Sequence, residues 1–144
     1  MEFIVLDAGV VVPLILPHPL GGAVEQRMRH WKREYYRLVS PCFMPVEVVS
    51  ALRQAVYAGK FDSRQALEAV EIVMSLGIEW MMPGGDGLQS ALRWAERLGQ
   101  SKAYDAQYVA LAEQLGAELW SADQRLINAL KEQGITWAHW VGEV

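Results

Sequence analysis

Short apolar runs alternate along this chain with stretches patterned at helical spacing, and glycines fall where several of those stretches stop. Phe3-Ile4-Val5-Leu6 is a continuous apolar run of the kind a buried parallel strand uses, and it ends on Asp7. A broken apolar segment follows, interrupted by Pro13, Pro17 and Pro19, and then comes the Gly21-Gly22 pair. The pattern predicts a helix from about Ala23 to Leu38 and a short strand over Leu38-Val39-Ser40, closed by Pro41. Pro45 suits the first position of a further helix, which runs to about Ala58 and stops at Gly59. Asp62-Ser63 opens the next, ending near Leu76-Gly77. Ile78 to Met82 is a strand and Pro83-Gly84-Gly85 a turn, after which a helix runs from about Gly87 to Leu98 and stops at Gly99.

The stretch from Ser101 to Leu126 reads as a helix, a glycine stop at Gly116, a short strand and the start of another helix. Its first helix is apolar almost all round, with Gln107, Glu113 and Gln114 as a narrow polar stripe, the pattern of a largely buried helix. Ile135-Thr136-Trp137 is the expected last strand. Strands alternating with helices predict an α/β fold, a three-layer α/β/α sandwich around a mainly parallel central sheet. No repeat, low-complexity tract or long linker divides it, so residues 1–144 are expected to form a single domain.

Composition narrows the picture. With 52% apolar and 21% charged residues over 144 positions, the chain is long enough to bury a real core. Its single cysteine, Cys42, excludes an intrachain disulfide framework and a cysteine-based zinc site. A net charge of −4 argues against wrapping nucleic acid with the whole surface, but not against a nuclease, whose metal-binding carboxylates are themselves negative. The apolar N-terminus lacks a basic leader and is broken by Asp7, and the Val10–Leu16 run is too short to span a bilayer. The expectation is a cytoplasmic protein without membrane contact. One basic patch exists, Arg27, Arg29, Lys32, Arg33 and Arg37 against Glu25 and Glu34; it is a solvated helix face or, through Arg29 and Arg33, a phosphate contact. His18, His30 and His139 share no ligand spacing, and neither a phosphate-binding glycine loop nor a Gly-x-Ser-x-Gly elbow is present.

Four acids stand in equivalent places. Asp7 and Asp123 each end a strand, and Glu47 and Asp105 each lie in the first turn or so of a helix. In an open parallel sheet these positions share one edge, where ligands bind. Taken singly, each reads as a cap: Glu47 is third after Pro45, Ser121 and Gln124 make a capping box that leaves Asp123 a first-turn acid, and Ser101 caps the helix holding Asp105. Taken together they do not. Two carboxylates about 5 Å apart at an effective dielectric near 20 repel by roughly 3 kcal/mol. Helix dipoles return only about 0.3–1 kcal/mol per acid. A convergent cluster therefore needs protons or a divalent cation, and oxygen-only ligands suit Mg²⁺ or Mn²⁺. Such ions activate water and neutralise charge on a phosphate, which is phosphodiesterase chemistry. Lys102 and Arg125, beside these acids, are placed either to touch that phosphate or simply to face solvent.

Val-Leu-Asp at 5–7, P-V-E-V-V-S-A-L at 45–52, S-K-A-Y-D-A-Q-Y-V-A-L-A-E at 101–113 and L-W-S-A-D-Q-R-L at 119–126 resemble the PIN domain family, in its VapC-like toxin branch. The resemblance covers essentially the whole chain and is most specific over 101–126. It implies a Mg²⁺- or Mn²⁺-dependent endoribonuclease, with Asp7, Glu47, Asp105 and Asp123 as the acidic quartet that holds metal and attacking water. It also implies a homodimer and, for the toxin branch, a cognate antitoxin. One position departs from the family pattern: Ala8 stands where a Ser or Thr usually follows the first acid, while Ser121 keeps the hydroxyl expected before the fourth. Ala8 favours an alternative, a PIN-like scaffold that binds RNA or protein with little or no cutting. A stand-alone RNA-processing nuclease without an antitoxin is the third reading.

Overall fold

A computed structural model describes residues 2–143. Five strands, β1 (Phe3–Leu6), β2 (Arg37–Pro41), β3 (Glu79–Met81), β4 (Glu118–Ser121) and β5 (Ala138–Trp140), form one sheet in the order β3-β2-β1-β4-β5. Every pairing is parallel, with Val5 level with Val39 on one side and with Leu119 on the other. Ile4, Val5, Leu6 and Leu119 are wholly buried, as a sheet covered on both faces requires.

Seven helices provide that cover: α1 (Ala8–Ile15), α2 (Gly21–Arg33), α3 (Met44–Tyr57), α4 (Ser63–Met74), α5 (Gly85–Arg97), α6 (Tyr104–Leu115) and α7 (Gln124–Glu132). The chain leaves β1 toward β2 and β3 on one side and reaches β4 and β5 on the other. Right-handed crossovers then put α1–α4 on one face and α5–α7 on the opposite one. The contacts agree: α1 packs on α2, α3 and α4, while α5 packs on α6. Helix α6 crosses β1, β2 and β4, and its Ala106, Val109, Ala110 and Ala112 are buried, as its nearly all-round apolar pattern predicts. Gly116 ends it at φ 62, a conformation that glycine adopts without strain. Trp31, Trp94 and Trp120 are buried and Trp80, Trp137 and Trp140 pack against the core. No helix among the described residues is long and apolar enough to cross a membrane.

Three elements differ from the sequence expectation. The segment after Asp7 is a helix, α1, despite Pro13 inside it and its run of valines. Asp7 caps its start and Val10, Val11 and Ile15 are buried, so burial and the cap outweigh poor helix propensity. Helix α2 stops at Arg33, not near Leu38, because Tyr35 takes a left-handed turn at φ 60 and releases Arg37 and Leu38 to β2. The last strand lies at Ala138–Trp140, three residues after its expected start at Ile135. The Ile135 amide is still bonded to the Leu130 carbonyl, closing α7 around Gly134.

The left-handed Tyr35 carries strain of roughly 1–2 kcal/mol that a glycine would not, against which glycine's greater freedom in the unfolded chain costs about 0.5–1 kcal/mol. Its side chain is 83% exposed and contributes little packing. Tyr35→Gly is expected to raise stability by about 0.5–1 kcal/mol, which is roughly 1–4 °C in Tm for a chain of this size. Thermal unfolding followed by circular dichroism reads this directly; a lower Tm would contradict it.

Candidate active site

The four acids meet at one edge of the sheet. Asp7 follows β1 and caps α1: its Oδ1 accepts the Val10 amide at 3.1 Å, and its Oδ2 accepts the Ser121 hydroxyl. Asp123 follows β4 and caps α7, its Oδ1 accepting the Arg125 and Leu126 amides at 3.0 and 3.3 Å. The expected capping box of Ser121 and Gln124 is therefore replaced. Ser121 is committed elsewhere: its hydroxyl donates to Asp7 and accepts the Asp123 amide at 2.9 Å. Asp123 is left to cap the helix alone.

Glu47 lies in the first turn of α3, and its Oε1 accepts the Tyr108 hydroxyl at 2.6 Å instead of reaching back to cap its own helix. Asp105 lies in the first turn of α6. The cap expected from Ser101 does not form, because the chain bends before the helix and Ala103 occupies the cap position without a side-chain bond. Asp105 accepts no hydrogen bond among the described residues and stands exposed, not crowded as its buried helix suggests.

Asp7, Ala8, Gly9, Glu47, Asp105, Tyr108, Ala122 and Asp123 line one open cleft of about 290 Å³. It lies outside the carboxyl ends of β1, β2 and β4, around the point where strand order reverses. Burial of its charged form pushes the Asp7 carboxyl from 3.8 up to about 7, the Ser121 and Val10 hydrogen bonds pull it down, and the Asp105 charge adds to the rise. Asp105 is also raised, by partial burial first and by the Asp123 charge second. The Tyr108 hydroxyl is raised by burial and then by its bond to Glu47, so it stays a proton donor to that carboxylate.

The donor set fits a hard divalent cation: three aspartates and a glutamate, each with oxygen lone pairs to spare, and no His or Cys in the cleft. Among the described residues, no three of these side chains are gathered at the spacing that a metal ion needs.

The basic candidates separate into two groups. Lys102 and Arg125 stand beside the cleft, in a groove that shares Asp105 and in the first turn of α7. Arg29 and Arg33 do not. Arg29 pairs with Glu25 at 3.5 Å and lines a different cavity with Arg37 and Glu79, the residues that begin β2 and β3 at the opposite sheet edge. Arg33, at the end of α2, leads into that same edge.

Three site residues escaped the sequence reading. Tyr108 was legible only as a helical neighbour three residues after Asp105. Phe43 packs edge-on against Tyr108, with ring centroids 5.5 Å apart. At Gly9 a Cβ would come within 3.1 Å of the Ala122 Cβ and 3.3 Å of Asp7 Oδ1, so a bare backbone lets α1 approach the β4–α7 turn.

Residues 4–131 match the family model described as PIN domain. Over 135 residues the chain is 33% identical to Ribonuclease VapC12 of Mycobacterium tuberculosis, covering 88% of this chain and 91% of that protein. Among solved structures, PAE2754 from Pyrobaculum aerophilum superposes with a TM-score of 0.71 at 23% identity, over 98% of this chain and 84% of that one. Mycobacterium tuberculosis VapC20, described as a sarcin-ricin loop cleaving toxin, gives 0.66 at 17% identity, over 92% and 96% of the two chains. A structure of VapBC-1 from nontypeable Haemophilus influenzae gives 0.66 at 15% identity, over 99% and 100%. The five-stranded parallel sheet is therefore a shared fold, and the chain belongs to the PIN domain family, in its VapC-like branch.

Proposed function

We propose that this protein is a divalent-cation-dependent endoribonuclease and the toxin of a two-protein toxin–antitoxin pair. The observation that carries the reading is the convergence of Asp7, Glu47, Asp105 and Asp123 on one cleft at the closing ends of adjacent strands. The 33% identity to a protein named a ribonuclease supports it. A bound Mg²⁺ or Mn²⁺ supplies Lewis acidity toward water and phosphate. The chain's own residues do the rest. Asp7, pinned by Ser121 and Val10, forms the fixed floor; Tyr108 orients Glu47; Asp123, locked as a helix cap, presents its second oxygen; Asp105 closes the set from the cleft mouth. A homodimer, a cognate antitoxin and a cytoplasmic setting accompany this reading.

The ungathered carboxylates favour one alternative, a PIN-like scaffold that binds RNA or protein without cutting it. Ala8 favours it less than the sequence suggests, because the buried Ser121 hydroxyl already holds the first acid. Both readings are separated by one experiment. With Mg²⁺ or Mn²⁺ the parent is expected to cleave single-stranded or loop-containing RNA, and Asp105→Asn to lose about 100-fold or more of that rate. Equal rates in parent and variant, or no cleavage by the parent, would reject the nuclease.

The raised Asp7 pKa gives a second test without RNA. The folded protein favours the protonated acid, so its penalty is absent below about pH 4, grows as pH rises and is complete above about pH 7. Asp7 keeps some access to the cleft, which holds the penalty to about 2 kcal/mol. In EDTA, Asp7→Asn is expected to be more stable than the parent by that amount at pH 8 and by little at pH 4, and Mn²⁺ to narrow the gap by stabilising the parent. Urea denaturation at both pH values measures it; a gap independent of pH would contradict the assignment.

A further inference from the structure

Beside the acidic cleft lies a second groove, about 430 Å³, lined by Gln100, Ser101, Lys102, Tyr104 and Asp105. Asp105 lines both, so a ligand in the groove lies next to the acids. Three features of the groove match one kind of ligand. Tyr104 leaves 61% of its surface exposed in the first turn of a helix whose Ala106, Tyr108, Val109, Ala110 and Ala112 are buried. Its ring is not loose: Phe43 meets it edge-on at 6.1 Å, and Phe43 in turn meets Tyr108, whose hydroxyl holds Glu47. A fixed aromatic ring with a free face has prepaid the ordering cost of stacking. Lys102 enters no ion pair among the described residues and is the cation of a groove that otherwise adjoins acids. Gln100 Oε1 is the buried side-chain polar atom left without a hydrogen-bond partner among the described residues.

We propose that this groove binds one unpaired nucleotide of an RNA substrate next to the scissile position, its base stacked on Tyr104 and its phosphate against Lys102. A base is the ligand that needs all three features. Its π face fits an aromatic platform regardless of sequence, its phosphate needs a cation, and its amino or ring N–H edge supplies the donor that Gln100 lacks once that amide turns toward the groove. A paired base cannot reach the platform, because both its faces are already stacked. The groove therefore selects single-stranded segments or loops. The inference rests on the nuclease reading for the identity of the substrate, but binding can be measured apart from cutting.

The test uses the full chain and a short single-stranded RNA carrying 2-aminopurine, with Ca²⁺ in place of Mg²⁺. The parent should bind it and quench the 2-aminopurine fluorescence. Tyr104→Ala should weaken binding about 10-fold or more and abolish the quenching, while Tyr104→Trp, which keeps a π face, should recover most of both. Lys102→Ala should lessen the salt dependence of binding. In cleavage assays with Mg²⁺, Tyr104→Ala should raise KM more than it lowers kcat, and a duplex of the same sequence should be insensitive to the change. Equal affinity and quenching in parent and Tyr104→Ala would overturn the subsite, as would no binding of single strands by the parent; the ring would then be left to a protein contact. Cleavage with a KM that ignores Tyr104 also overturns the subsite while sparing the nuclease. Binding and quenching through Tyr104 without any cleavage would uphold the subsite and remove the nuclease.

Discussion

The buried hydroxyl of Ser121 is the constraint on which the edge carrying the four acids depends. It donates to Asp7 at the end of β1 and accepts the Asp123 amide at the start of α7, so one oxygen sets the relation between two strand ends and two helix starts. A hydrogen bond to a carboxylate is among the stronger ones, and its donor here, the Ser121 hydroxyl, is wholly buried. Ser40 repeats the device one strand over, its hydroxyl donating to the Leu6 carbonyl at 2.5 Å. These are the two wholly buried polar side chains of the described residues, and both tie neighbouring strands at the edge where the acids emerge. Gly9 completes the arrangement by letting α1 come close to the turn that Ser121 organises.

This architecture changes how the acids interact. Mutual repulsion is the larger penalty when the carboxylates are treated as charges in a shared dielectric. In the structure, burial is the first cause of the shift at both Asp7 and Asp105, and the neighbouring acid follows. The neighbouring charge is thus the smaller contribution at both acids, and the loss of hydration the larger, at Asp7 in the cleft floor and in part at Asp105 at its mouth. The cleft is framed by the hydrogen bonds that three of the acids, Asp7, Glu47 and Asp123, make to their surroundings. A cation entering it has to compete with a proton at Asp7 and with solvent at Asp105.

How much of this was legible follows from the range of the interactions concerned. Strands β1 to β4 were readable because short apolar stretches bounded by Pro, Gly or an acid are a local signal, and the acids were readable because a parallel sheet converts their place after a strand into a place in space. Helix α1 was not, since Pro13 and three valines oppose it locally and only the buried surface of Val10, Val11 and Ile15 decides for it. Tyr35 gave no warning that it would end α2, being neither Gly nor Asn. The Ser121 capping box did not form because Ser121 has a partner 114 residues away in sequence, and Glu47 turned from its own helix to Tyr108, 61 residues away; no local motif reveals either partner. The basic helix read as a solvated face or a phosphate contact, and local pattern could not say where it would lie; the topology carries Arg29 to the sheet edge that the acids do not occupy.

Helix α6 shows why the start of one element can supply several functions at once. Successive helical residues point about 100° apart, so Tyr104 and Asp105 face different directions from adjacent positions, and Tyr108, one turn on, falls between those two directions. Tyr108 is buried and holds Glu47; Tyr104 is exposed and, like Tyr108, meets Phe43; Asp105 has no hydrogen bond of its own among the described residues. Asp7, Glu47 and Asp123 are all pinned by scaffold donors. Asp105 is therefore the one acid of the four that no hydrogen bond holds among the described residues, and it is also the residue shared by the acidic cleft and the neighbouring groove, so a ligand in the groove lies directly against it.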